Sequence, residues 1–256
     1  MDQVPRAQQS RFASLAVEIR QAILCEIPDI ASLNNAVKAD ESLQSAFSNY
    51  ESPILDKILN STLSPELLPE VFAVLESSHL DPWSEERVNE ILDRYVERKP
   101  TPIRWTLADA QIVGDLHYHI QFFIDDFVSW ALSAHPLPNG EIHAPLSSTE
   151  RFRIEAAFYR FELFCNLFRE RNDKNYEIRR ERSEQFSEDF AFWEAEQLGC
   201  ILDYLVDKIS PAFNDVARHD ILWGEFCVPF DDFDLHPEPH KAFFVWSKLR
   251  LPFVMS

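Results

Sequence analysis

The sequence predicts an all-α protein, with a short three-helix module at the N-terminus followed by an irregular helical domain. Three observations predict it. Glycine is scarce: Gly114, Gly140, Gly199 and Gly224 are the only four in 256 residues, against roughly 18 in an average chain of that length. Tight hairpins and phosphate-cradling loops need the positive φ that glycine supplies, which argues against a Rossmann fold, a P-loop or a many-stranded β architecture. Apolar residues recur at steps of three and four, the period of a helix face. Ser, Asp and Pro, which start and stop helices, punctuate the segments.

Element by element, Leu15, Ile19, Ile23, Leu24 and Ile27 make one face of a first helix, with Glu18, Arg20, Gln21 and Glu26 left for solvent. Pro28 stops it. Asp29 caps a second helix carrying Ile30, Leu33 and Val37, and a third carries Leu43, Ala46 and Phe47. Ser52-Pro53 reads as an N-cap and first helical residue ahead of Ile54, Leu55, Ile58 and Leu59. Ser64-Pro65 and Ser84 open two further helices. Residues 106–133 form one long helix, with Val113, Ile120, Ile124 and Phe127 in register and aromatics on its other sides, which predicts burial nearly all round. After a Pro-containing loop, Ser147 and Glu150 have capping-box spacing before a helix running to about residue 171. Residues 172–184 are charge-dense and read as a solvated connection. A helix follows over about 188–209, with the stripe from Trp193 to Leu205 as core, and Ser210-Pro211 ends it and caps the next. Residues 227–240 read as irregular, and the apolar tail from 241 to 256 reads equally as strand or helix.

The formal net charge is −19, from 43 acidic and 24 basic side chains. Such a field repels phosphate backbones and anionic lipid, so neither nucleic acid nor membrane is an expected partner. The charge serves solubility or attracts a basic partner. Cys25, Cys165, Cys200 and Cys227 are widely spaced, without a CxxC pair. No apolar run approaches the ~20 residues that cross a bilayer, and the polar opening lacks a signal-peptide core. The expected compartment is cytoplasmic or nuclear.

The opening helices carry Glu18-Ile19, Ile23-Leu24, Ile27-Pro28-Asp29 and Leu33 in that order. This series resembles the F-box, and in particular the F-box-like proteins of filamentous fungi, whose third helix is matched by Leu43 and Phe47. The likeness to the box covers residues 12–47. Ser210 to Asp215 and Trp223-Gly224 are also similar to such fungal chains. Ala16 stands where the family has Pro, and Asp40, Glu41 and Ser42 replace its aromatic or basic residues. The resemblance implies an F-box-like module over 10–60 and a helical domain of unknown specificity over 61–256. It further implies docking on a Skp-family adaptor subunit of a cullin-RING (SCF-type) ubiquitin ligase, with an unknown client protein held elsewhere. Helix-in-groove docking uses i, i+4, i+8 anchors. The candidate partner-binding residues are Leu15, Ile19, Ile23, Leu24, Ile27, Leu33 and Val37. The alternative is that these side chains pack on the chain itself.

No catalytic constellation stands out, so no enzyme activity, cofactor or metal is expected. His117 and His119 are two apart on a helix and diverge. Of Asp125-Asp126, one is expected in solvent and one against a donor. Glu194 and Glu196 lack the three- or four-residue spacing that pairs side chains on a helix. Asp231, Asp232 and Asp234 with His236 and His240 supply metal-type ligands, yet their spacing lacks the Gly and Glu of a calcium loop. With Phe230 and Phe233, that loop also suits a basic partner. Two further readings accompany the adaptor: a stand-alone helical interaction protein with no ligase link, and a helical metalloenzyme.

Overall fold

The structure, a computed structural model, describes residues 11–98, 104–134, 144–169 and 176–222, with side chains to Asn214 in the last segment. All regular structure among the described residues is helical. In chain order the helices are α1 (Val17–Cys25), α2 (Ile30–Ala39), α3 (Glu41–Ser48), α4 (Glu51–Thr62), α5 (Leu68–Ser78), α6 (Glu85–Val96), α7 (Leu107–Ala134), α8 (Ser148–Phe168), α9 (Tyr176–Gln185) and α10 (Phe192–Leu222). The chain divides into two compact units: residues 1–71 with 100–121, and residues 72–99 with 122–256.

In the first unit, α1 packs on α3 and α4, and α2 on α3. Asp29 caps α2 by accepting from the Ser32 N–H at 2.7 Å, and Asp40 caps α3 by accepting from the Leu43 N–H at 3.1 Å. Both satisfy amides that a helix start leaves open. α4 begins two residues earlier than Ser52-Pro53 predicts. Tyr50 occupies the N-cap without a side-chain bond, and Pro53 is the third helical residue. Its missing N–H would have had no intrahelical acceptor there, so the helix loses nothing. The Glu51 carboxylate accepts instead from the Leu107 N–H at 3.0 Å. Pro65–Leu67 form a 3-10 turn leading into α5. The core holds Leu24, Leu33, Ala46, Ile54, Leu55 and Leu67, all fully buried. Gly114 lets α7 approach α2 closely: a Cβ there would lie 3.2 Å from that of Ile30.

In the second unit, Ser84 caps α6. Ser147 and Glu150 form the expected capping box at the start of α8. α8 packs on α10 and α9. Phe127, Phe158 and Tyr204 meet edge-to-face at 5.4 to 6.3 Å, while Phe164, Phe168, Phe186 and Phe190 form a second aromatic group. The Trp83 indole donates to the Leu167 carbonyl at 2.6 Å.

Four expectations are corrected here. Part of the charge-dense stretch 172–184 is the helix α9, not a solvated connection. Arg179 is buried, its guanidinium 4.9 Å from the centre of the Trp83 ring, and Arg182 reaches Asp189 at 2.7 Å and Asn89 at 3.0 Å. Arginine here does the packing that apolar side chains usually do. α10 runs unbroken through Pro211 instead of ending at Ser210, with the Ser210 hydroxyl donating to the Val206 carbonyl at 2.6 Å. Trp193 is no core residue, being two-thirds exposed in the first turn of α10. Nor is α7 buried nearly all round: Val113, Ile120 and Ile124 are buried, whereas Tyr118 and Phe122 are exposed. The residues from 223 to 256, including the apolar tail, lie outside the described residues.

Candidate protein-interaction surface

The rotation of α1 about its own axis decides which side chains a partner can reach. Val17, Arg20, Gln21 and Leu24 share one face at steps of three, one and three, and that face points into the unit. Leu24 is fully buried. Arg20 Nη1 donates to the Ser42 carbonyl at 2.7 Å, and Gln21 Nε2 donates to the Ala46 carbonyl at 3.3 Å. The expectation that Arg20 and Gln21 face solvent is therefore corrected. Two polar side chains turn inward to tie α1 to α3, and an apolar pair turns outward.

That pair is Ile19, 51% exposed, and Ile23, 37% exposed. Leu15, 36% exposed, lies before the helix begins, beside a 3-10 turn over Arg11–Ser14 that carries the exposed Phe12. Ile27 is half-buried beyond the end of α1. The seven predicted residues thus separate. Leu15, Ile19 and Ile23 are open to solvent and Ile27 is partly so, while Leu24, Leu33 and Val37 belong to the core. Phe12 adds an aromatic ring that the sequence reading did not single out, because it precedes the helical period.

The chemical candidates come apart. His117 is buried and His119 exposed, as divergence at two-residue spacing requires. Asp125 pairs with Arg151 at 3.1 Å in solvent. Asp126 accepts from Lys208 at 2.8 Å and from the Tyr204 hydroxyl, and these bonds, that of Lys208 first, hold its carboxyl below the usual range. Glu194 meets the buried Arg160 at 3.1 Å, while Glu196 is exposed. Burial is the first cause raising the thiol pKa of Cys25, Cys165 and Cys200, which keeps these groups from the thiolate a nucleophile needs. Among the described residues, no three His, Cys, Asp or Glu side chains gather where they could hold a metal. No described helix is long and apolar enough to cross a membrane. Asp231 to Asp234, His236, His240 and Cys227 lie outside the described residues.

No family model, curated protein or solved structure matches this chain. The surface must therefore be read from its own chemistry. It offers branched aliphatic side chains about one helical turn apart, with Glu18, Ala22 and Glu26 exposed alongside. Its ionisable groups are the carboxylates of Glu18 and Glu26, so it offers no cation to hold an anion. It can bury area against another apolar surface. Exposed aromatics elsewhere, Phe192, Trp193 and Phe213 among them, lay outside the candidates because apolar periodicity reports burial and not exposure.

Proposed function

We propose that the chain is a protein-interaction adaptor whose N-terminal helices dock a Skp-family subunit, as the substrate receptor of a cullin-RING ubiquitin ligase does. One observation carries this reading: Ile19 and Ile23 face solvent while Arg20 and Gln21 are spent holding α1 to α3. A helix that needed its aliphatic side only for its own unit would bury it. The order Glu18-Ile19, Ile23-Leu24, Ile27-Pro28-Asp29 and Leu33, with its likeness to the F-box, supplies the identity of the partner. Leu24, Leu33 and Val37 then serve the module's own core, and Leu15, Ile19, Ile23 and Ile27 the partner. Co-expression of the full chain with a Skp-family subunit tests the reading. The pair is expected to co-purify through size exclusion, and separate elution removes the adaptor.

A second reading is a stand-alone helical interaction protein with no ligase link. It is favoured by the compact unit that holds α1 to α4, which also takes in residues 100–121. The close approach of Gly114 to Ile30 and the bond from Leu107 to Glu51 build the box-like helices into that larger unit.

A further inference from the structure

We infer that the solvent face at the start of α10 docks a basic segment of a partner protein. Phe192 is 78% exposed and Trp193 66% exposed. Leu198, Ile201, Leu202 and Leu205 turn the opposite way and are buried, so the aromatic pair lies off the face that α10 packs inward. Glu196, three and four residues on, and then Cys200 and Asp203 continue the exposed side.

The charge around these rings selects the occupant. No Lys, Arg or His occurs between Arg182 and Lys208. Three nearby carboxylates are already engaged: Glu194 with Arg160, Asp189 with Arg182, and Asp207 with the Trp130 indole. Glu188, Glu196 and Asp203 are exposed and pair with no cation among the described residues. Aromatic faces attract Lys and Arg head groups, and the methylene stems of those side chains cover apolar rings while the charge reaches a carboxylate. An anionic ligand meets repulsion at the same place. Seven residues separate Glu196 from Asp203, about 10.5 Å along the helix axis. That interval matches cations two turns apart on a partner helix.

This surface belongs to the second unit, and the inference does not depend on the adaptor reading. The probe is a fluorescein-labelled amphipathic peptide of Lys, Arg and Leu, titrated into the full chain and followed by anisotropy. Saturable binding is expected, weakened by salt, and absent for a Glu-for-Lys/Arg control peptide. Phe192→Ala with Trp193→Ala should weaken it about tenfold or more, and Glu196→Lys with Asp203→Lys should abolish it. All four positions are exposed, so circular dichroism should not change. Absence of binding, or equal binding by the native chain and both variants, overturns the inference. So does sedimentation showing a dimer that Trp193→Ala dissolves, since a second copy would then cover the face.

Discussion

Arg160, 2% exposed in the middle of α8, places its Nη2 3.1 Å from Oε1 of Glu194 in the first turn of α10. The same guanidinium donates to the Tyr95 hydroxyl at 3.2 Å and stacks 5.4 Å from the centre of the Phe190 ring. One buried cation thus joins α6, α8 and the segment entering α10. Removing its counter-charge leaves a guanidinium out of water with only neutral partners and the more exposed Arg98 nearby. Glu194→Ala should cost about 3 kcal/mol, read from urea denaturation. A cost below about 1 kcal/mol would mean that Tyr95, the Glu194 carbonyl and Phe190 suffice.

The two described glycines make different predictions. A Cβ at Gly199 meets nothing within 4 Å, so Gly199→Ala should stabilise α10 by about 0.8 kcal/mol. At Gly114 the same methyl comes 3.2 Å from Ile30 Cβ, and crowding cancels most of that gain. Gly114→Leu should destabilise by more than about 1 kcal/mol. Paired thermal melts decide both, and equal responses at the two sites would contradict the close approach of α7 to α2.

Glu162 in α8 carries a pH signature. Burial is the main cause that raises its pKa to about 6, with Arg169 acting the other way. Between pH 4.5 and 6 the folded chain therefore holds more protons at this site than the unfolded chain, and stability falls as pH rises through that window. Glu162→Gln should be more stable than the native chain by about 1 to 2 kcal/mol at neutral pH, with the difference vanishing below pH 4.5. Melting curves across that range check the sign.

The inward turn of Arg20 is tested by comparing two substitutions on one helix. Arg20→Ala removes a charged donor from the Ser42 carbonyl and should cost about 1.5 kcal/mol. Ile19→Ala, at a half-exposed site, should change stability by less than about 0.5 kcal/mol. The order reverses if α1 is rotated as its apolar spacing alone suggests.

That comparison marks where sequence reading succeeds and where it stops. Helix positions were legible because caps are local chemistry: Asp29, Ser84 and the Ser147-Glu150 pair each bond within three residues. The all-α class followed from spacing and from the lack of glycine. The rotation of α1 was not legible, since Arg20 and Gln21 meet carbonyls 22 and 25 residues away. Helix α9 escaped because its anchor, Arg179 on Trp83, is polar and distant in sequence. The Arg180–Glu184 pair at four-residue spacing was a local sign of it. Pro211 looked like a boundary, yet a long helix tolerates the loss of one hydrogen bond when the turns on either side hold.

The double substitution Ile19→Asp with Ile23→Asp tests the proposed docking most directly, by calorimetric titration of a Skp-family subunit into folded protein. Because both side chains lie in solvent, the variant should keep its helical circular dichroism and melt within a few degrees of the native chain, while heat of binding disappears. Undiminished binding, or a variant that unfolds, would contradict an outward-facing aliphatic stripe made for that subunit.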